Sequence, residues 1–438
     1  MAGGTWTVQN KVRPGVYINF VSEANSLGTL GERGTVSMAL PLSWGEPKKI
    51  ITIQAGEDLK DKLGYDITSS QMLIIREALK RAKTLLLYRL NEGVKAAATI
   101  GTLQATAVFG GVRGNDLSIV IAPNINDDTK FDVETFLAGE RVDVQTVASL
   151  EELKNNKYVV FQGQGQPELT AGAPLKDGTD GTVSNQDHTS YLQALEVMDF
   201  QTIALVSDDT TLKSVYAAYV KRLRETEGKK IQAVLADYIA ADHEGIISVK
   251  NGVTLTDGTV LYAKHTTAWV AAATAGAAVN ESLTYQAYDD AADVNGKLTN
   301  AEMEAALKQG QFVFTASSGK AVVEQDINTF TSLSPDKAKH FSKNRVVRVL
   351  DSVANDLKRI FESYFIGKVN NNDDGRNLFR SQCVSYLNDL QNIGAVQNFN
   401  SQTDIKVLAG AESDSIVVEL SVQPVDSVEK VYMKVKVA

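Results

Sequence analysis

Apolar and polar positions alternate strictly at the end of the chain. One face of the predicted strand carries apolar side chains, at Val431, Met433, Val435 and Val437. The opposite face carries Tyr432, Lys434 and Lys436. This alternation is typical of a half-buried β-strand. Because an exposed alternating edge is an aggregation hazard, we expect the strand to pair with another segment.

The beginning of the chain has a similar pattern. After Pro14 and Gly15, three apolar positions alternate with their neighbours, at Val16, Ile18 and Phe20, with Tyr17 between the first two. Residues 1–24 are therefore predicted to form an N-terminal arm, and residues 429–438 a C-terminal strand arm. Two extended apolar ends on one chain indicate strands offered to a sheet, including a sheet of another molecule.

An α/β pattern occupies two separate stretches of the chain. Residues 71–83 predict a helix, with Met72, Ile75 and Leu79 at helical spacing. The continuous apolar run at residues 85–90 is typical of a strand covered on both faces. The same texture resumes after residue 190, where residues 211–226 predict another helix. We therefore interpret residues 25–93 and 183–335 as one discontinuous α/β domain.

A different texture separates these two stretches. It is rich in Gly, Thr and Val, and it predicts strands at regular spacing, at residues 105–109, 117–122, 130–137, 140–147 and 157–161. Such spacing indicates an all-β sandwich or a small barrel. Residues 94–182 are therefore predicted to be an inserted β-sandwich.

The last domain, residues 336–428, has an α+β pattern. Apolar side chains recur at intervals of three and four from Val346 to Tyr364, which predicts a long helix. A second helix is predicted at residues 378–392, and strands follow it. This order indicates a helix pair packed against a sheet.

Composition narrows the class of protein. The chain has 438 residues, of which 43% are hydrophobic and 22% charged, as in ordinary soluble proteins. Its net charge of −9 argues against broad nucleic-acid binding. We see neither a secretory signal nor an apolar run of membrane length, so we expect a soluble protein made in the cytoplasm. Cys383 is the only cysteine, so no intrachain disulfide can form.

The sequence offers little evidence for catalysis or for a cofactor. The four histidines fit no metal-ligand spacing, and Asp242-His243-Glu244 is predicted to lie in a solvated loop. The glycine-rich segment at residues 109–116 lacks the Lys and Ser or Thr of a phosphate loop, so we interpret it as a turn. We therefore predict no catalytic residue, no metal site and no cofactor.

Two polar segments predict local structure. Residues 370–375 resemble the start of a calcium loop, but Ser381 stands where a bidentate Glu is needed, which favours a polar turn between helices. Asn300 is predicted to be the N-cap of a short helix that runs through Lys308.

The predicted long helix lies in a basic stretch. Residues 337–368 carry eight Lys or Arg side chains against three acids, although the whole chain is acidic. One interpretation is a solvated helix face. The other is a basic strip that faces an acidic partner, with Arg345, Arg348, Lys358 and Arg359 as its candidate residues.

Several segments together resemble contractile tail sheath proteins of myophages, of defective prophages and of tail-like bacteriocins in Gram-positive bacteria. These segments are Arg13–Tyr17, Arg113–Asp116, Leu298–Glu302, Val323–Thr329, Val346–Asp351, Phe365–Asn371 and Val422–Tyr432. They span nearly the whole chain, and those in the C-terminal domain are the most specific.

The resemblance implies a multidomain α/β and α+β fold: a subtilisin-like α/β domain with an inserted β-sandwich, and a C-terminal α+β domain with strand arms. It also implies a structural subunit that polymerises as stacked six-fold rings around a tail tube, by exchange of strand arms between subunits, and then contracts. The implied partners are further copies of the chain, the tail tube protein, and baseplate and tail terminator proteins. Nucleic acid and membrane contact are not implied, and the implied location is a virion tail or tail-like particle assembled in the host cytoplasm.

Two alternatives remain open. The chain could be a tail terminator or initiator, which would share the arms but would not polymerise. It could also be a hydrolase on the α/β domain, although no serine has a nucleophile signature and no catalytic triad is evident.

Overall fold

The computed structural model describes residues 30–437 and, nearer the N-terminus, the backbone of two short strands. These are β1 (Ala2–Gly4) and β2 (Gly15–Tyr17), which pair in parallel. The chain divides into two compact units. The smaller unit comprises residues 1–31 and 356–423, and the larger unit comprises residues 32–355 and 424–438.

The larger unit begins with half of an α/β domain. Its elements are β3 (Thr35–Leu40), β4 (Ile50–Gln54), α1 (Lys60–Leu63), α2 (Leu73–Leu79) and β5 (Thr84–Arg89). The apolar run in β5 is buried from Leu85 onwards, as expected of a central strand with both faces covered.

Two antiparallel sheets follow in the same unit and form a β-sandwich. Their strands are β6 (Ala97–Ile100), β7 (Leu103–Ala107), β8 (Leu117–Pro123), β9 (Phe131–Leu137), β10 (Glu140–Val147), β11 (Val159–Gln162) and β12 (Thr170–Pro174). One sheet has the order β10-β9-β8-β12 and the other β11-β7-β6. Leu117, Ile119 and Ile121 alternate with more exposed neighbours and point into the sandwich core. The prediction of a β-sandwich is confirmed.

The α/β pattern then resumes. Its elements are α3 (Asn185–Leu195), β13 (Thr202–Ala204), α4 (Thr210–Glu225), β14 (Gln232–Ala236), β15 (Ile246–Val249), β16 (Gly252–Leu255), β17 (Val260–Leu261), α5 (Ala263–Gly276), β18 (Ala291–Asn295), α6 (Asn300–Lys308), β19 (Gln311–Phe312), β20 (Phe314–Ser317) and β21 (Lys320–Val323). Short 3₁₀ turns occur at Ser70–Met72, Val112–Asp116, Leu150–Glu152, Ile239–Ala241 and Lys339–Ser342.

Strands from both sides of the insertion share one seven-stranded sheet. Its order is β19-β15-β14-β13-β3-β5-β4, and only β4 is antiparallel to its neighbour. Helices α2 and α5 pack on one face, where the fully buried Trp269 lies in the core. Helices α3 and α4 pack on the other face, around Tyr191 and Tyr216. The fold is therefore mixed α/β and multidomain, as predicted.

A buried arginine fixes the sandwich to the α/β domain. Arg89 is fully buried, and its guanidinium donates to the carbonyl oxygens of Gly45 and Gly110 at 2.7 and 2.6 Å. The backbone is tightly packed here, because a Cβ at Gly110 would lie 1.9 Å from the carbonyl oxygen of Gly93. The inserted sandwich is therefore held to the α/β domain by close backbone packing as well as by its covalent connections.

The remaining elements are α7 (Asn344–Tyr364), α8 (Asp373–Asn392), β22 (Ile405–Ala409) and β23 (Ile416–Leu420). Helix α7 contributes residues to both units. In the smaller unit, α8 packs on the antiparallel β22–β23 hairpin, and Tyr386 of α8 donates to Asp356 at 2.9 Å. No helix in the described part of the chain is long and apolar enough to cross a bilayer.

Helix α6 begins one residue away from the sequence prediction. Thr299, not Asn300, is the N-cap: its hydroxyl accepts from the backbone N–H of Glu302, and the Glu302 carboxylate accepts from the backbone N–H of Thr299. This reciprocal pair is a capping box, which satisfies two backbone donors at once.

Thr299→Ala is expected to lower the free energy of unfolding by about 1 kcal/mol, because the cap is lost. Asn300→Ala is the matched control and is expected to have a smaller effect, because Asn300 does not cap the helix. Urea denaturation of both variants would measure the difference. A larger loss in Asn300→Ala would contradict the assignment of the cap.

Candidate functional site

The C-terminal arm has no strand or helix in the described chain. Residues 430–437 are in neither class, and their apolar side chains are 74% to 94% exposed at Val431, Met433, Val435 and Val437. The predicted terminal strand is therefore absent from the single chain. The physical reason is that a strand needs a hydrogen-bonding partner, and the described residues supply none here. Tyr432, on the opposite face, is 91% exposed.

Glu429 anchors the base of this arm. Its carboxylate forms an ion pair with Lys343 and accepts hydrogen bonds from Gln325 at 2.6 Å and Thr284 at 3.0 Å. The Glu429 side chain is only 10% exposed. The chain is thus held at Glu429 and released into solvent directly after it.

The hydrogen bonds also set the acidity of the anchor. Burial alone would raise the pKa of Glu429, but the bonds from Lys343 and Gln325 outweigh burial and lower it. The folded state therefore binds this proton less readily than the unfolded state does. The stabilisation is complete above the ordinary value of about 4.5 and is lost as the pH falls through the lowered folded pKa.

We expect acidification below about pH 4.5 to loosen the base of the arm. Hydrogen exchange of the backbone N–H groups of residues 425–430 should then accelerate relative to the core strand β5. In the Glu429→Gln variant, the same backbone N–H groups are expected to exchange quickly at every pH, because the glutamine cannot form the ion pair with Lys343. Equal protection in Glu429→Gln and the natural protein at neutral pH would contradict an anchoring role.

The N-terminal arm is described only in part. The predicted residues Val16 and Tyr17 lie in β2, whereas Ile18 and Phe20 lie outside the described residues.

The hairpin in the smaller unit has open edges. Among the described residues, β22 and β23 pair only with each other. Leu408, Val417 and Val418 are between 37% and 48% exposed on it. Because its outer edges have no strand partner among the described residues, this hairpin is suited to accept further strands.

The predicted basic strip needs correction at Arg348. This side chain is only 1% exposed, and its guanidinium donates to the backbone oxygen of Glu281 at 2.5 Å and lies 3.4 Å from the carboxylate of Asp326. Arg348 therefore belongs to a buried ion pair with Asp326 and cannot face a partner protein. Arg345 is partly buried.

The two remaining strip residues lie on the surface. Lys358 and Arg359 are 47% and 42% exposed and lie near Glu362 and Asp356. Their acidic neighbours on the same helix offset much of the positive charge. Whether they face a partner stays a prediction.

The loop Asp242–Glu244 was predicted to be solvated, and this was wrong for two of its residues. His243 and Glu244 are buried. His243 Nε2 lies 3.1 Å from Glu225, and Glu244 accepts from Lys337 at 3.0 and 3.1 Å. Burial lowers the pKa of His243, which favours the uncharged ring.

Arg224 and Asp351 form a buried ion pair next to this loop. Two parallel hydrogen bonds, of 2.6 and 2.8 Å, join the guanidinium to the carboxylate. This pair ties α4 to the first part of α7. Sequence reasoning missed it, because the two residues are 127 positions apart and nothing in the segment Val346–Asp351 points to Arg224 as a partner.

The described residues contain no cluster of three or more His, Cys, Asp or Glu side chains suited to holding a metal ion. His188 contacts the hydroxyl of Tyr216 at 2.9 Å, as a core hydrogen bond. Cys383 is buried, and burial raises the pKa of its thiol to about 12. The notable surfaces are the arm and the hairpin.

Comparison with protein families matches four consecutive regions of the chain. Residues 33–90 match the tail sheath protein Gp18 domain III N-terminal region, and residues 91–180 the phage tail sheath protein beta-sandwich domain. Residues 181–329 match the phage tail sheath protein central domain, and residues 336–438 the phage tail sheath C-terminal domain.

Individual proteins are similar over nearly the whole chain. A sheath tail protein from Desulfitobacterium hafniense is 57% identical, with a TM-score of 0.87, over 96% of this chain and 99% of that one. A sheath tail protein from Listeria innocua is 40% identical, with a TM-score of 0.81, over 93% and 95%. The phage-like element PBSX protein XkdK of Bacillus subtilis is 41% identical over the full length of both chains.

Proposed function

Because this chain belongs to the phage tail sheath protein family, we propose that it is a structural subunit that polymerises around a tail tube by exchanging β-strands between copies. The observation that carries this proposal is the arm after Glu429, whose alternating apolar face is exposed in the single chain. The open-edged β22–β23 hairpin offers the complementary feature.

The physical basis is strand addition between molecules. Main-chain hydrogen bonds to an exposed edge supply affinity, and alternate side chains fix the register. A contact between two different surfaces of the same chain is heterologous, so it propagates instead of closing a dimer. Stacked six-fold rings would result if the rotation between neighbouring subunits closes after six copies.

The proposed contraction needs connections that survive large movements. Arms that remain paired would keep neighbouring subunits linked while their domains move as rigid bodies. The packed joint at Arg89 supports movement of the sandwich together with the α/β domain. No nucleotide is required in this scheme, and the energy would be stored in the extended assembly.

The α/β domain serves as a scaffold in this proposal. Its predicted subtilisin-like topology concerns the connection of the strands and carries no catalytic residues. The domain boundaries predicted from the sequence likewise remain predictions. The proposed partners are further copies of the chain, the tail tube protein, and the baseplate and terminator proteins of a virion tail or tail-like particle.

Negative-stain electron microscopy of the purified chain, alone and with its tube protein, tests the proposal. Striated tubes or stacked rings are expected. Dispersed monomers under all conditions would contradict it, and single rings capping a tube end would indicate a terminator or initiator instead.

A further inference from the structure

An apolar pocket opens beside the hairpin in the smaller unit. It has a volume of about 430 Å³, and Phe361, Phe365 and Phe379 line it. The rings contact one another with centroid separations of 4.9 to 6.3 Å. Ile366, 54% exposed, and Ile416, the first residue of β23, also line the pocket.

The asparagine-rich turn that resembled a calcium loop shapes this pocket. Asn371 donates to the backbone oxygens of Ser413 and Ser415 at 2.8 and 2.9 Å, which fixes the turn to the hairpin loop. Asn372 caps α8 by accepting from the backbone N–H of Gly375 at 2.9 Å. A Cβ at Gly375 would lie 2.0 Å from the carbonyl oxygen of Asn370, so the turn requires glycine there. The motif therefore fixes the hairpin loop to a turn whose residues Asn370 and Asn371 line the phenylalanine pocket.

The charges of the hairpin and the arm are opposite. Residues 404–420 carry four acids against one lysine, namely Asp404, Glu412, Asp414 and Glu419 against Lys406. Residues 430–437 carry three lysines and no acid, namely Lys430, Lys434 and Lys436. Such complementarity favours association of the two segments.

The faces of the two segments also match. In the hairpin register, Val407 opposes Val418 and Ala409 opposes Ile416, while Glu419 lies on the other face. The first face also carries the buried Ile405, so we assign it to the side on which α8 packs. An arm strand added to this hairpin with its valines toward α8 would place Lys434 on the face of Glu419. It would place Met433 on the face of Ile416, where the pocket opens.

We propose that Met433 of a second copy of this chain fills the phenylalanine pocket and sets the register of the exchanged arm. This proposal rests on the proposed function, since it requires strand exchange between copies. A methionine suits the site because it is unbranched and its sulfur makes favourable contacts with aromatic rings. The pocket is open in the single chain, and the Met433 side chain is 79% exposed there. Each copy therefore carries both an exposed Met433 and an open phenylalanine pocket.

Disulfide trapping between two differently labelled copies tests this assignment. One preparation carries Met433→Cys and the other Ile366→Cys, so a mixed disulfide can form only between copies and only at short Cβ separations. The natural Cys383 gives little background, because it is buried and its thiol pKa is raised. We expect the mixed dimer to be the main oxidised product under conditions in which tubes form.

Two controls make the result specific. Tyr432→Cys replaces Met433→Cys to test the opposite face of the arm, and Val16→Cys tests the N-terminal arm as the occupant. We expect the mixed disulfide with Ile366→Cys to be at least about fivefold weaker in both mixtures, since either cysteine would lie beyond bonding distance. A stronger product with Val16→Cys would overturn the proposal and assign the pocket to the other arm.

The outcomes separate this inference from the proposed function. If tubes form and require the C-terminal arm but Met433→Cys gives no mixed disulfide, the pocket assignment is wrong and strand exchange stands. If the natural chain forms no tubes with or without tube protein, the proposed function itself fails and the inference fails with it.

Discussion

Deletion of Val431–Ala438 is expected to prevent long tubes from forming while the subunit stays folded. The apolar side chains of this arm are at least 74% exposed in the single chain, so their removal costs the monomer little. We expect the free energy of unfolding to change by about 0.5 kcal/mol or less. In an assembly, the same deletion would remove the added strand and its main-chain hydrogen bonds.

Electron microscopy and urea denaturation of the truncated chain would measure the two effects separately. A full-length control replaces Val431, Met433, Val435 and Val437 with serine, which keeps the lysines and the length; we expect it to behave like the deletion. A second control, Tyr432→Thr, changes the other face and is expected to assemble. Tubes of normal length from the deletion variant would refute the role of the arm.

Asp351→Ala is expected to destabilise the larger unit severely, lowering the free energy of unfolding by about 3–5 kcal/mol. Arg224 is only 4% exposed and donates both of its terminal nitrogens to Asp351. Without the carboxylate, a buried cation would lose its close partner, since Glu244 lies 3.9 Å away. The cost arises from that uncompensated charge.

The matched control for this prediction lies on the same helix. Glu362→Ala removes a carboxylate that is 54% exposed and 4.0 Å from Lys358, and it should cost about 0–1 kcal/mol. Circular dichroism during urea denaturation would follow the unfolding of both units, because Asp351 belongs to the larger unit and Glu362 to the smaller one. Equal losses in the two variants would contradict the importance of the buried pair.

Much of the fold could be predicted because periodicity is a local property. The spacing of apolar residues predicted the long helix from Val346 to Tyr364, and the structure has it from Asn344 to Tyr364. Regular strand spacing predicted the sandwich, and the continuous apolar run predicted the buried strand β5. The start of α6 was predicted one residue late, because Thr299 and Asn300 are both good capping residues and only the contact with Glu302 distinguishes them.

The candidate site was less accessible to sequence reasoning. Arg348 was predicted to be a surface cation, because its contacts with Asp326 and Glu281 join segments that are distant in the chain. His243 and Glu244 were predicted to be solvated for the same reason. The asparagine-rich turn had a recognisable motif, but the phenylalanines of the neighbouring pocket come from α7, from the turn that follows α7 and from α8.

The sequence by itself determined the kinds of elements, the separation into α/β, sandwich and α+β parts, the resemblance to tail sheath proteins, and the alternation of the terminal arm. Each of these depends on residues close together in the chain. Only the tertiary structure decided which charges are buried, where Glu429 fixes the arm, and that residues 430–437 form no strand within the described chain. Those outcomes depend on contacts between residues that are distant in the chain, such as Arg224 and Asp351. Local periodicity contains no information about such contacts.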